Sequence, residues 1–200
     1  MDQTKMRILS AAAKLFDIYG YKGTSVRLIA EEAQVNSALI SYHFQGKQGV
    51  LETLIASYFE TLFRLVEEQE ARDGDATPFE RLEKAVELYV GFQCEHAPIT
   101  RLIQRELSVE SMLAREVLTL YISRWKHGLT RVIENGVATG DFLPVSIDRT
   151  VLAVISQMTY PFLQAQMVRQ VFDLEPYSEE FALWLQASIM SYLRGCLLPT

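Results

Sequence analysis

Residues 24–47, TSVRLIAEEAQVNSALISYHFQGK, constrain this chain more than any other stretch. They fit two short helices set at an angle by a three-residue turn, with a third helix starting at once. Val26, Ile29, Ala30 and Ala33 recur at helical spacing and predict a helix over about 25–33 with one inward face. Thr24 stands where an N-terminal cap belongs. Gln34, Val35 and Asn36 make the turn, with Val35 placed to fill the angle between the helices. The second helix, over about 37–44, is poor in charge. It sets Ser37, Ser41, Tyr42 and His43 on one side and Leu39, Ile40 and Phe44 on the other. Hydroxyls, a tyrosine and a histidine beside Lys47 can bond phosphates and base edges in a DNA groove. That is the working principle of a helix-turn-helix.

The rest of the chain keeps the helical period, so the fold class expected is all-α, with about nine helices. A first helix runs over about 4–19 and ends at Gly20. Lys47 opens a long helix to about residue 70, and the loop from Arg72 to Asp75 is a candidate junction. Thr77-Pro78-Phe79-Glu80 is a capping box with proline at the first helical position, and starts a helix to about residue 95. Further helices are expected over about 99–107, 110–135 (stopped by Gly136 and Gly140), 147–171 (kinked by Pro161) and 178–195. The organisation expected is a three-helix DNA-binding head over 1–47 and a helical body over 48–200.

Charge supports that division. The net charge is −6, but residues 1–50 hold six Lys and Arg against four acids, and the remainder holds thirteen against twenty-one. A mildly basic end on an acidic body fits a DNA-binding module joined to something that does not touch DNA. Cys94 and Cys196 lie far apart in sequence and read as free thiols. No leader-like segment and no run long enough for a membrane helix is present, so a cytoplasmic, nucleoid-associated protein without a membrane partner is expected. His43, His96 and His127 lack metal-ligand spacing, and no nucleophile-base set or phosphate-binding glycine loop is legible, so neither metal, cofactor nor enzymatic activity is expected.

The last two expected helices are apolar nearly all round, which requires burial of more than one face. Val151, Ile155, Met158, Phe162, Phe181, Trp184, Leu185 and Ile189 either fill a bundle core or form a dimer interface. The dimer is favoured, because helix-turn-helix proteins pair to read symmetric sites.

The order of elements resembles the TetR family of transcriptional regulators. The residues that carry the resemblance are Phe16, Gly20-Tyr21, Gly23-Thr24-Ser25, Ile29-Ala30, Ala33, Val35, Tyr42-His43-Phe44, Lys47 and Leu51. The chain departs from the family pattern at Gln34, where glycine is usual, and at Ser41, where an aromatic is usual. The resemblance implies a homodimer on a palindromic duplex, with a four-helix interface from the last two helices. It implies that Tyr42 bonds a phosphate, that His43 does so or lies near the sugar, and that Lys47 meets a phosphate. Thr24, Ser25 and Arg27 open the helix that crosses the backbone, where they either contact DNA or cap the helix. Ser37, Ala38 and Ser41 are the candidates for base edges, with Ala38 suited to a thymine methyl.

Arg101 and Arg105 stand one helical turn apart, and Arg115 follows. They are either a solvated face or a surface that grips carboxylates of an acidic partner. Residues 99–107, 113–117, 41–47 and 160–164 resemble TetR-type division regulators of spore-forming bacteria, which bind palindromes near the replication origin and act on the tubulin-like protein FtsZ. That resemblance implies a partner-binding role for the three arginines. The alternative is a repressor released from its operator by a small-molecule effector bound in the body; an α-helical enzyme is the remote third.

Overall fold

The computed structural model describes residues 3–72, 74–108 and 112–199, with the side chains of 106–118 excepted. Ten helices and no strand occur among the described residues: α1 (Gln3–Gly23), α2 (Val26–Ala33), α3 (Ser37–Phe44), α4 (Lys47–Arg72), α5 (Pro78–Glu95), α6 (Ala97–Ser108), α7 (Met112–Thr139), α8 (Ile147–Leu163), α9 (Ala165–Phe172) and α10 (Glu179–Leu197). The chain forms two compact units, one of residues 1–61 with 98–118, the other of 62–97 with 119–200. The expected head lies wholly within the first.

In the first unit, α1 and α2 pack on each other, and α2 on α3. Ile8, Ala12 and Phe16 of α1, Ile29 of α2 and Ile40 of α3 are fully buried. The helix of α1 turns at Gly20 (φ 73, ψ 167), a backbone shape that a side chain disfavours. Carbonyls in its last turn find other donors: Leu15 and Gly20 accept from the Thr24 hydroxyl, and Phe16 accepts from the Arg105 guanidinium of α6. Thr24 is therefore buried and is not the cap of α2. Ser25 is, its hydroxyl accepting from the Leu28 N–H at 3.1 Å.

The second unit packs α5 against α10, with α8 against both. Val86 and Leu82 of α5, Val154 and Met158 of α8, and Ile189 and Leu193 of α10 are buried together in its core. The capping box forms as expected: the Glu80 N–H donates to Thr77 Oγ1, and the Thr77 N–H donates to the Glu80 carboxylate.

Two expected boundaries are corrected. Gly136 does not stop α7, which continues to Thr139 and ends at Gly140 (φ 82). Gly136 is instead a packing residue: a Cβ there would meet the Phe142 ring at 2.2 Å. The helix expected over 147–171 is two. Pro161 is accommodated within α8, and the break falls three residues later at Gln164 (φ −109, ψ 34), where α9 begins.

Candidate nucleic-acid interface

The candidate recognition element is α3. Ile40 and Phe44 are buried and anchor it to the first unit, which leaves Ser37, Ala38, Ser41 and Tyr42 exposed and His43 half-buried. Tyr42 is 80% exposed, far more than a core-packing tyrosine would be. Its ring meets the His43 ring edge-on at 5.0 Å, which limits the rotamers open to both. Asn36 caps α3, its Oδ1 accepting from the Ala38 N–H at 2.8 Å. Its side chain is thus committed to the helix. At the other end Gln45 (φ 59) and Gly46 (φ 113) both adopt left-handed backbone and reverse the chain into α4.

The turn between α2 and α3 is a Schellman closure. The Val35 N–H donates to the Ala30 carbonyl at 3.0 Å and the Gln34 N–H to the Glu31 carbonyl at 3.1 Å. Gln34 sits at the left-handed position (φ 53) where glycine costs least. Arg7 of α1 reaches the same end: its Nη2 donates to Ala33 O, the last carbonyl of α2, at 2.6 Å and to Gln34 O at 3.0 Å. Lys14 of α1 pairs with Glu32 of α2 at 2.6 Å. Recognition helix, turn and supporting helix are thereby held as one piece.

Among the other residues expected at DNA, Ser25 is exposed while capping α2, and Arg27 is exposed while paired with Glu31 one turn on, at 2.9 Å. One expectation needs correction. Thr24 is 1% exposed, with its hydroxyl turned to α1, and cannot reach a phosphate. Lys47 is half-buried, with its ammonium engaged within the head. Its Nζ donates to Tyr21 O at 2.8 Å and Thr24 O at 2.6 Å, and lies over the Tyr21 ring at 4.3 Å from the centroid. Tyr21 O also accepts from the Thr24 N–H at 3.3 Å, so the ammonium joins a turn already closed by a backbone bond, a placement that residue spacing does not reveal.

The arginines of α6 are also engaged within the first unit. Arg101 makes a two-point pair with Asp17 of α1, and Arg105 donates to Phe16 O. Asp17 occupies the Nε and Nη2 edge of Arg101, and the Arg101 side chain stays 39% exposed. The side chain of Arg115 lies outside the described residues. Of the eight residues expected at a dimer interface, Val151, Met158, Phe162, Phe181, Leu185 and Ile189 are buried in the chain's own second unit, Ile155 is half-buried and Trp184 is exposed. The six satisfy the core, the other role open to them. The large apolar residues that α8 and α10 do expose are Leu152 (65%), Tyr160 (50%), Leu163 (39%), Leu183 (60%) and Trp184 (53%). No pattern of apolarity alone separates the two sets, because both lie on helices that are apolar nearly all round.

The remaining features are modest. No group of three His, Cys, Asp or Glu side chains that could hold a metal ion occurs among the described residues. No described helix is long and apolar enough to cross a membrane. In the second unit a cleft of about 180 Å³ lies between α4 and α7, lined by Phe63, Glu67, Trp125 and Arg131 among others. The Trp125 indole N–H beside it is buried without a hydrogen-bond partner.

Residues 8–54 match the family model for bacterial regulatory proteins of the tetR family. Residues 78–191 match the model for a tetracyclin repressor-like C-terminal domain. The chain is 31% identical over 192 residues to the probable HTH-type transcriptional regulator YttP of Bacillus subtilis (strain 168), covering 92% of this chain and 93% of that protein. Among solved structures it is similar to the TetR family transcriptional regulator PfmR of Thermus thermophilus. That match has 25% identity and a TM-score of 0.73, over 92% of this chain and 97% of the other. A tetR-family regulatory protein from Rhodococcus RHA1 has the same fold, with a TM-score of 0.75 at 22% identity over 96% and 97% of the two chains.

Proposed function

We propose that this chain, which belongs to the tetR family and is a DNA-binding transcriptional regulator rather than an enzyme, reads palindromic duplex sites as a homodimer. The observation that carries the reading is α3 itself: a capped helix whose outward side is Ser37, Ala38, Ser41 and Tyr42, anchored from behind by Ile40 and Phe44. Hydroxyls and a methyl read base edges, and the Tyr42 hydroxyl bonds a phosphate. The pairing surface is the exposed apolar set Leu152, Tyr160, Leu183 and Trp184. Two such heads then meet successive half-sites on one side of the duplex.

Within the family, the task proposed is regulation of cell division. Residues 99–107, 113–117 and 160–164 resemble RefZ of spore-forming bacteria, a TetR-type protein that binds palindromes near the replication origin, acts on FtsZ and helps position the chromosome during sporulation. On this reading the protein is nucleoid-associated, and an acidic surface of FtsZ engages Arg101, Arg105 and Arg115, with Asp17 exchanged for a partner carboxylate. A second reading, a repressor released by a small molecule, is favoured by the orphan Trp125 N–H beside the α4–α7 cleft. Its size is below that of a drug-sized ligand site, about 300 Å³ or more. An effector there would shift the spacing of the two heads through unequal affinity for two conformations.

Genome-wide mapping of bound sites tests both. A few palindromes around the replication origin support the division role. A single site beside the protein's own gene sinks it and supports the local repressor. In the same cells Tyr42→Ala should abolish the map; an unchanged map would show that α3 is not the reading element.

A further inference from the structure

We propose that Arg7 and Lys47 are positioning residues of the DNA head: they set the pose of α3 from behind. The inference rests on the DNA-binding reading and deepens it. Both cations have ligands that are backbone carbonyls at the ends of helices. Arg7 Nη2 joins Ala33 O and Gln34 O, the last carbonyls of α2 and the first of the turn, to α1. Lys47 Nζ joins Tyr21 O and Thr24 O, on either side of the loop between α1 and α2, to the first residue of α4. The two sites flank α3. One sets where the turn enters it and the other sets where α4 leaves it.

The chemistry explains why cations stand there. A helix leaves its last carbonyls without intrahelical partners and gathers partial negative charge at that end. At the α2 end the Schellman closure takes Ala30 O and Glu31 O, and Arg7 takes Ala33 O and Gln34 O. The closure is under strain because Gln34 holds a left-handed shape that favours glycine. Arg7 is the side chain that holds it shut. At the α1 end the turn at Gly20 opens a loop whose carbonyls converge, and a compact ammonium with three donors fits between them, resting on the Tyr21 face.

A group that grips DNA acts only when DNA is present; a positioning group acts in the free protein. Amide exchange of the DNA-free protein separates the two. In Arg7→Met the amides of Gln34 and Val35 should exchange about tenfold faster or more, with amides of the second unit unchanged. In Lys47→Met the same should hold for Thr24 and Leu28. Binding is then read on the palindromic duplex that the wild type enriches from a random-sequence pool, with random duplex as the control. Each variant should lose about tenfold in affinity for the palindrome and less for random duplex, because phosphate contacts tolerate a displaced α3 and base contacts do not.

The second variant is a rescue. Gln34→Gly relaxes the closure that Arg7 holds, so Arg7→Met with Gln34→Gly should recover most of the lost palindrome affinity. No rescue of that kind restores a lost phosphate contact. Amide exchange like the wild type's in the free variants, with affinity lost, would make both residues direct DNA contacts and overturn the proposal, as would unchanged exchange with unchanged affinity. Slower folding or a general rise in exchange would mark a merely structural role, and would also overturn it. If the wild type itself enriches no duplex, the DNA-binding reading fails, while the exchange result still decides whether the two cations set the head.

Discussion

Arg101 of α6 meets Asp17 of α1 at two points, with Nε 3.1 Å from Oδ1 and Nη2 2.8 Å from Oδ2. This two-pronged geometry is the strong form of the Arg–carboxylate pair, and both side chains are partly shielded from water. It ties α6 to the helix that carries Arg7. We expect a double-mutant cycle of Asp17→Asn and Arg101→Gln to give a coupling of about 0.5–1.5 kcal/mol by denaturant unfolding. Zero coupling would mean the pair is incidental to stability.

Gln34→Gly should stabilise the free protein by about 0.5–1 kcal/mol, because glycine enters the left-handed turn position without strain. Chemical denaturation measures the gain. A loss of stability instead would mean that the Gln34 side chain makes contacts worth more than the strain.

Gly136→Ala should act in the opposite direction. The added methyl meets the Phe142 ring at 2.2 Å, and Phe142 is itself buried. Displacing the ring costs about 1–3 kcal/mol. Phe142→Leu in the same background should return part of it, and thermal unfolding of the single and double variants reads both changes.

Pairing through α8 and α10 is checked by charge. Leu183→Glu or Leu152→Glu should shift sedimentation from dimer to monomer with helix content kept, since both side chains are exposed in the single chain. Ile189→Glu should instead unfold the second unit, because that residue is fully buried there. Retention of the dimer in both surface variants would place the interface elsewhere.

Alkali should destabilise the second unit. Burial pushes the Cys94 thiol up to about 11 and raises the Tyr89 phenol above its ordinary 10.0. Each group then stays protonated in the folded chain at a pH where the unfolded chain has lost the proton. The unfolded state binds fewer protons there, so stability falls as pH rises. For Cys94 the loss runs from about 9 to about 11. Denaturation midpoints across that range should drop, and Cys94→Ala should remove part of the drop.

Legibility in the sequence followed the range of the interaction. Caps are local: Thr77 with Glu80, Asn36 and the Ser178 start of α10 were each readable from neighbouring residues. So was most of the split of α3, with Ile40 and Phe44 inside and Tyr42 outside, but Leu39, grouped with the inner pair by its residue type, is exposed. Lys47 was not readable. A lysine at a helix start looks the same whether it faces a phosphate or two carbonyls more than twenty residues back. Thr24 and Ser25 both qualify as caps by type, and only the bonds of Thr24 to the end of α1 decide between them. For α8 and α10, core and surface residues are equally apolar, so hydropathy marked the right helices but not the outward face.

The ligands of Arg7 and Lys47 are neutral carbonyls, whereas Lys14 and Arg27 are matched by Glu32 and Glu31. A carbonyl dipole holds an ion in place without cancelling its charge, and a carboxylate cancels it. The two ions that shape the head therefore still project a positive field into the surrounding solvent, and the two in ion pairs project little. That field acts before any contact is made, drawing the acidic duplex in and raising the rate of encounter most at low salt. Replacing either residue by a neutral one would slow arrival at DNA, even in a head whose shape had been restored by other means.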